Sequence, residues 1–254
     1  MTEERTGGAG ATGEEEGFEL SRRQLLALGA GAVAAVLTPG VTLFARTLTV
    51  GSKKTPVRYG MLVDATKCST GCHACVTACQ DYNGLSHDPG PDNAQWIRKV
   101  TVTDPGTGFT TSFPVMCQHC AEPTCVDVCP TGASFKRADG IVLVDKHRCI
   151  GCRYCLMACP YEARSFVGRV ETHQKAWAPR GKGSAEACTM CVERVDSGKV
   201  PACVAACGAK GKKAMLFGNL HDPKSEIAQR LAQIPTTTIR SDLGLKPGIH
   251  YRGI

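Results

Sequence analysis

Cys149-Ile150-Gly151-Cys152-Arg153-Tyr154-Cys155-Leu156-Met157-Ala158-Cys159-Pro160 is the stretch on which the reading turns. Its cysteines are separated by two, two and three residues and followed by proline, the run that holds a 4Fe-4S cluster. Three such thiolates on one loop cap three irons of a cube. The fourth, three residues further on, sits on a helical turn and faces a neighbouring cube. The spacing therefore predicts clusters that come in pairs and exchange their fourth ligands.

Outward from this run, the other twelve of the sixteen cysteines fall into three more groups of four. Cys68, Cys72, Cys75 and Cys79 have gaps of three, two and three residues. Cys117, Cys120, Cys125 and Cys129 have gaps of two, four and three, with Pro130 behind them. Cys188, Cys191, Cys203 and Cys207 have gaps of two, eleven and three. An internal repeat says which groups belong together. YGMLVDATKC before the first group aligns with GIVLVDKHRC before the third, a short apolar strand leading to Asp64 or Asp145 and then to a cysteine. The second and fourth groups end alike and lead to apolar segments.

The chain thus reads as α+β, two nested, pseudo-symmetric ferredoxin-like modules of two clusters each. Residues 58–80 and 185–220 form the outer module, and residues 117–167 the inner one. In the inner module Cys117, Cys120 and Cys125 are expected to share a cluster with Cys159, and Cys149, Cys152 and Cys155 one with Cys129. In the outer module the expected sets are Cys68, Cys72, Cys75 with Cys207, and Cys188, Cys191, Cys203 with Cys79.

Other chemistries for these cysteines fit less well. Four zinc sites, giving a zinc-scaffolded structural protein, would not need the three-plus-one run. Disulfides between cysteines two or three apart would be strained. Cys68, Cys72 and His73 are one residue longer than a haem attachment motif and would strand Cys75 and Cys79. His73 and His119 are expected to sit behind the ligands and tune a cluster.

The first 45 residues read differently. An acidic, glycine-rich opening without apolar period reads as disordered. Ser21-Arg22-Arg23-Gln24-Leu25-Leu26 then opens a moderately apolar run that closes at Pro39-Gly40, matching a twin-arginine signal. The alternatives are a membrane anchor or a plain helix. Twin-arginine export carries folded proteins, so clusters could be inserted before the thiols meet an oxidising periplasm. The net charge of +7 does not imply nucleic acid. Residues 1–45 hold three arginines and six glutamates, and without them the chain has 27 basic and 17 acidic residues. Each oxidised cluster with its thiolates brings about −2, so the basic excess is mostly counter-charge.

The remaining segments are insertions and a tail. Residues 81–116 contain an alternating pattern around Asp104-Pro105-Gly106-Thr107-Gly108 that predicts a β-hairpin. Residues 168–184 form an irregular basic loop. In 221–254, Ser225 caps a short helix with Ile227, Leu231 and Ile234 on one face. An extended tail follows and needs a surface to lie on. No nucleophile with an adjacent base, phosphate loop or open metal site stands out, so no catalytic residue is assigned.

CQHCAEPTCVDVCPTGA, GCRYCLMACPYEAR and ACTMCVERVDSGKVPACVAAC resemble the four-cluster ferredoxin-like subunits of dimethylsulfoxide, tetrathionate, polysulfide and formate oxidoreductase complexes. The resemblance covers residues 58 to about 220. Within that group, the signal and the ending TIRSDLGLKPGIHYRGI look most like the exported O subunits of Dsr transmembrane complexes of sulfur metabolism. The resemblance implies four 4Fe-4S clusters, an NrfD-like integral membrane quinone-binding partner, and a multihaem cytochrome or molybdopterin catalytic subunit. It implies a periplasmic, membrane-associated electron carrier. Two departures fall in the outer module: three residues rather than two between Cys68 and Cys72, and Gly208 rather than proline after Cys207. Gln80 likewise follows Cys79.

Overall fold

The computed structural model describes residues 56–88, 90, 93–210 and 212–254; the leader and twin-arginine signal read in residues 1–45 lie outside the described residues. Mixed helix and strand are present throughout, as an α+β chain requires. Strand β1 (Tyr59–Asp64) is the central strand of a three-stranded sheet, antiparallel to β8 (Met215–Asn219) and parallel to β9 (Ile249–Arg252). Covered on both faces, it needs a continuous apolar run rather than an alternating one. Met61, Leu62 and Val63 supply that run and are all buried.

The extended tail finds its surface on its own chain, because β9 is the sheet's third strand. Ile249 and Tyr251 are completely buried there, and an aliphatic side chain so placed stabilises by about 1.5–3 kcal/mol. Helix α6 (Glu226–Gln233) begins at Ser225, whose Oγ accepts a hydrogen bond from the N–H of Ala228 at 3.2 Å. Ile227 is the residue of its apolar face that is fully covered.

The cysteine groups occupy the turns and short helices between strands. Helix α1 (Ala74–Asn83) carries Cys75 and Cys79, and α5 (Ala202–Ala209) carries Cys203 and Cys207; the two helices pack together. Helices α2 (Thr124–Asp127) and α3 (Tyr154–Met157) hold Cys125 and Cys155, and also pack on each other. The first pair has ten and eight residues and the second pair four each. Proline explains the difference. Pro130 and Pro160 disfavour helix at Cys129 and Cys159, whereas Gln80 and Gly208 let α1 and α5 run through Cys79 and Cys207. A fifth short helix, α4 (Val192–Asp196), follows Cys191.

Strands β2 (Ile97–Thr103) and β3 (Thr110–Met116) form an antiparallel hairpin. Asp104 organises its turn by accepting from Gly106 N–H and from the Thr107 hydroxyl. Strands β4 (Ser134–Lys136) and β5 (Val142–Val144) pair between the second and third cysteine groups. Strand β6 (Arg164–Phe166) pairs with β7 (Ala185–Ala187). That last ladder joins the end of the segment read as the inner module to the start of the returning outer segment.

The 168–184 loop is held down at several points. Gly84, with φ 64°, ends α1 in the left-handed conformation that favours glycine. A Cβ there would lie 2.2 Å from the His173 carbonyl oxygen, so loop and helix end are in backbone contact. Trp177 donates its indole N–H to the Tyr82 carbonyl at 3.0 Å.

Candidate iron-sulfur centre

None of the sixteen cysteines is in a disulfide, and most are buried. Cys68, Cys72, Cys75 and Cys207 line one cavity, with Lys67, Lys99, Lys210 and Lys212 around them. Cys79, Cys188, Cys191 and Cys203 line a second, walled by Met61, Trp96, Ile97, Met116 and Met190. In each, a cysteine from one end of the chain meets three from the other.

Two further gatherings lie near α2 and α3. Cys117 and Cys120 both lie within electrostatic reach of Cys125 and Cys159. Cys155 likewise feels Cys149 and Cys129, while Cys152 stands exposed on the same loop.

Burial sets the chemistry of these thiols. It pushes the Cys75 and Cys120 thiols up to about 11 and Cys117 up to about 12. Cys79, Cys188 and Cys203 lie well above the ordinary thiol value for the same reason, with neighbouring cysteines adding to the effect. A buried group of thiols with this bias ionises only opposite cationic charge. Cys129 is the exception: burial acts upward on it, but hydrogen bonds from Ser134 N–H and Thr131 outweigh that and lower it.

Three loops share one backbone device. In the C-x2-C that opens the second, third and fourth groups, the residue just before the second cysteine has positive φ: His119 at 43°, Gly151 at 73° and Met190 at 57°. This bend turns the backbone so that N–H groups meet sulfur, as in the 3.4 Å contact from Met190 N to Cys188 Sγ. Sequence reading missed the pattern, because only Gly151 is a residue type that advertises a left-handed conformation. Gly151 also has a neighbour: a Cβ would lie 2.4 Å from the Gly183 carbonyl oxygen. Gly151→Ala is therefore expected to destabilise by more than about 1 kcal/mol and to speed iron loss to a chelator from the holoprotein. Release no faster than wild type would show that the loop tolerates the side chain.

The first group lacks this device, and its additional residue is accommodated from outside. Lys99, on β2, donates to the carbonyl oxygens of Ser69, Thr70 and Cys72, the last at 2.8 Å. Its neighbour Arg98 reaches the carbonyls of Glu162 and Tyr161 at 2.8 and 3.0 Å. The hairpin thus fastens the longer Cys68–Cys72 loop and the turn after Cys159.

The two histidines differ. His73 is exposed at the start of α1. His119 is 1% exposed, and its Nδ1 accepts from Val142 N–H at 3.0 Å. Burial first, then Arg58 and Arg164, depress it to about 3, so the ring is neutral at physiological pH.

Other side chains bear on the sulfurs. Asn83 Nδ2 lies 3.5 Å from Cys79 Sγ, Arg164 Nη2 lies 3.1 Å from Cys125 Sγ, and Ser134 and Ala185 N–H groups lie 3.3 and 3.4 Å from Cys129 and Cys149 Sγ. None of these was marked out by sequence: Arg164 and Ala185 lie 39 and 36 residues from their sulfurs, and Asn83 and Ser134, though near theirs, are residue types that read as ordinary polar positions.

The donor set fits iron-sulfur cubes. Thiols arranged around shared cavities, biased against ionisation by burial and met by N–H donors, suit a cationic core that takes one thiolate per corner. Among the described residues no three His, Cys, Asp or Glu side chains converge closely enough to close on one metal ion.

Two 4Fe-4S dicluster domain families match the chain, one over residues 67–133 and the other over 109–219. With the sixteen cysteines, they match a complement of four 4Fe-4S clusters. The chain is 38% identical over 265 residues to the Hdr-like menaquinol oxidoreductase iron-sulfur subunit 1 of Archaeoglobus fulgidus, spanning 91% of this chain and 97% of that one. It is 40% identical to protein NrfC of Escherichia coli over 91% of this chain and 94% of that one. A sulfite dehydrogenase subunit of Allochromatium vinosum is 38% identical, over 76% of this chain and 82% of that one.

Proposed function

This chain belongs to the family of 4Fe-4S dicluster iron-sulfur subunits of oxidoreductase complexes, and from that premise we propose that it relays single electrons between a membrane quinone site and a redox partner outside the cytoplasm. Each 4Fe-4S cluster supplies a one-electron couple.

The observation that carries this reading is the crossing of the cysteine groups. Cys207 meets Cys68, Cys72 and Cys75, while Cys79 meets Cys188, Cys191 and Cys203. Exchange of fourth ligands brings paired clusters close, which a relay needs. The same crossing supports two nested modules and the two outer ligand sets expected from spacing. The cysteines bind, the apolar wall of Met61, Trp96 and Met116 keeps water from the second set, and N–H donors set the potentials.

The partners follow from the relatives. A menaquinol oxidoreductase subunit and a sulfite dehydrogenase subunit among them support a quinone-linked membrane partner and sulfur-compound chemistry. The Dsr O subunits, with a multihaem cytochrome as periplasmic partner, are the finer assignment we favour. A molybdopterin catalytic subunit is the alternative partner, and copurification of a large subunit would establish it. Among the described residues no helix is long and apolar enough to cross a membrane. Attachment through an integral membrane partner is part of the proposal. So are the twin-arginine signal and periplasmic location.

Anaerobically purified protein is expected to hold about sixteen irons and sixteen acid-labile sulfides per chain, with interacting 4Fe-4S signals on reductive titration. Zinc without iron would replace the relay with a structural role.

A further inference from the structure

Arg164 is nine-tenths buried, on β6 just after the third cysteine group. Its Nη2 lies 3.1 Å from Cys125 Sγ and 2.7 Å from Ser134 Oγ. Cys125 belongs to the gathering with Cys117, Cys120 and Cys159. The charge of Arg164 also bears on Cys155, which belongs to the other gathering, with Cys149 and Cys129. Ser134, which receives its hydrogen bond, gives its own N–H to Cys129 Sγ at 3.3 Å. One guanidinium therefore stands between the two inner sets of thiols. Among the described residues no carboxylate pairs with it: its Nη2 donates to Cys125 Sγ and Ser134 Oγ, and its Nε and Nη1 are buried without an oxygen or nitrogen partner.

Unpartnered buried N–H groups of a cation cost free energy unless something accepts them. Anionic sulfur on either side is the acceptor this position offers. The outer module has a different arrangement. There Lys67, Lys99, Lys210 and Lys212 line the cavity of Cys68, Cys72, Cys75 and Cys207, each on one set only, while the other set meets neutral Asn83, 3.5 Å from Cys79 Sγ and also directed at Cys191.

We infer that Arg164 is a positioning residue that raises the reduction potentials of both inner clusters together. The inference builds on the four-cluster reading. Taking one electron from its neighbour adds one negative charge to a cluster and removes one from the donor. A fixed positive charge between two clusters stabilises the reduced form of either, and more so in a low-dielectric interior. Arginine suits the position because its planar fork keeps its charge when buried and donates in two directions, which a lysine ammonium does not match.

The test is an EPR-monitored redox titration of anaerobic holoprotein, with iron and sulfide counted first. Arg164→Gln with full iron is expected to move two of the four midpoints to more negative potential, each by about tenfold in the reduced-to-oxidised ratio, or 59 mV for one electron. The other two midpoints should stay. Arg164→Lys keeps the charge, so its two inner midpoints should shift less than those of the glutamine variant. Should the glutamine variant lose its clusters, Arg164→Met decides in the same titration: two inner midpoints moved to more negative potential support the inference and two unmoved midpoints overturn it.

In the glutamine variant, unchanged midpoints with full iron, or a shift in one cluster alone, would also overturn it. Equal shifts in the lysine and glutamine variants would assign the effect to packing rather than charge, and would overturn it as well. Wild-type protein without iron-sulfur clusters would instead overturn the relay itself.

Discussion

Cys79→Ala is expected to cost the holoprotein about a quarter of its iron, one cluster of four. Adding Cys203→Ala should cost nothing more, whereas adding Cys68→Ala should bring the loss to about half. The contrast follows from placement rather than sequence order. Cys79 stands seven residues from Cys72 and within the first group, yet it lines the cavity of Cys188, Cys191 and Cys203. The charges bearing most on it are those of Cys188 and Cys191. If each sequence group held its own cluster, the result would reverse: the pair with Cys68 would lose a quarter and the pair with Cys203 a half. Alanine is preferred to serine because an alkoxide could replace the thiolate. Counting iron and sulfide in the three variants beside wild type reads the ligand sets directly, without depending on a partner or an assay of activity.

How much of this was legible in the sequence depends on the range of the interaction. The third group could be read at once because its spacing, its proline and the loop it makes all lie within twelve residues. Helix length at the fourth cysteines could be read too, since a proline at 130 or 160 acts on the residue next to it. Lys99 could not. It stabilises the longer Cys68–Cys72 loop from 27 residues away, and a lysine in an alternating strand looks like a solvated face.

Arg164 was hidden in the same way. It sits inside the quoted motif GCRYCLMACPYEAR, but an arginine there reads as surface charge until β6 is seen turned inward beside Ser134. The β6–β7 ladder was also out of reach. It is made by three-residue strands on either side of a loop, and such short strands carry no usable period. Its presence means that residues 164–166 and 185–187 share backbone hydrogen bonds.

The basic loop of residues 168–184, which had no evident purpose in sequence, has one in its ion pairs, and they give the second large effect. Arg180 and Glu186 are both buried, joined by two hydrogen bonds, Nη2 to Oε1 at 2.7 Å and Nε to Oε2 at 3.1 Å. Lys146 approaches the same carboxylate at 3.6 Å, and Glu171 meets Arg180 Nη1 at 3.1 Å. Arg180 also donates to the Gly84 carbonyl. The end of α1, the loop, the turn before the third cysteine group and β7 thus converge on one carboxylate, two residues before Cys188.

Glu186→Gln preserves shape and removes the charge, leaving Arg180 with half-satisfied donors and Lys146 without its counter-ion. Breaking a fully buried pair from one side costs about 3–5 kcal/mol. The denaturation midpoint of anaerobic holoprotein should therefore fall, and amides of residues 168–184 should exchange faster. Glu171→Gln, at a side chain 17% exposed, should do less, since Arg180 keeps its bidentate partner. The two variants separate the explanations. Equal losses would mean that the loop is held by total charge, and an unchanged midpoint in Glu186→Gln would mean that the backbone contacts at Gly84 and Gly183 hold it alone. A large loss confined to Glu186→Gln would identify this carboxylate as the anchor that keeps β7, and with it the Cys149 and Cys188 loops, in place.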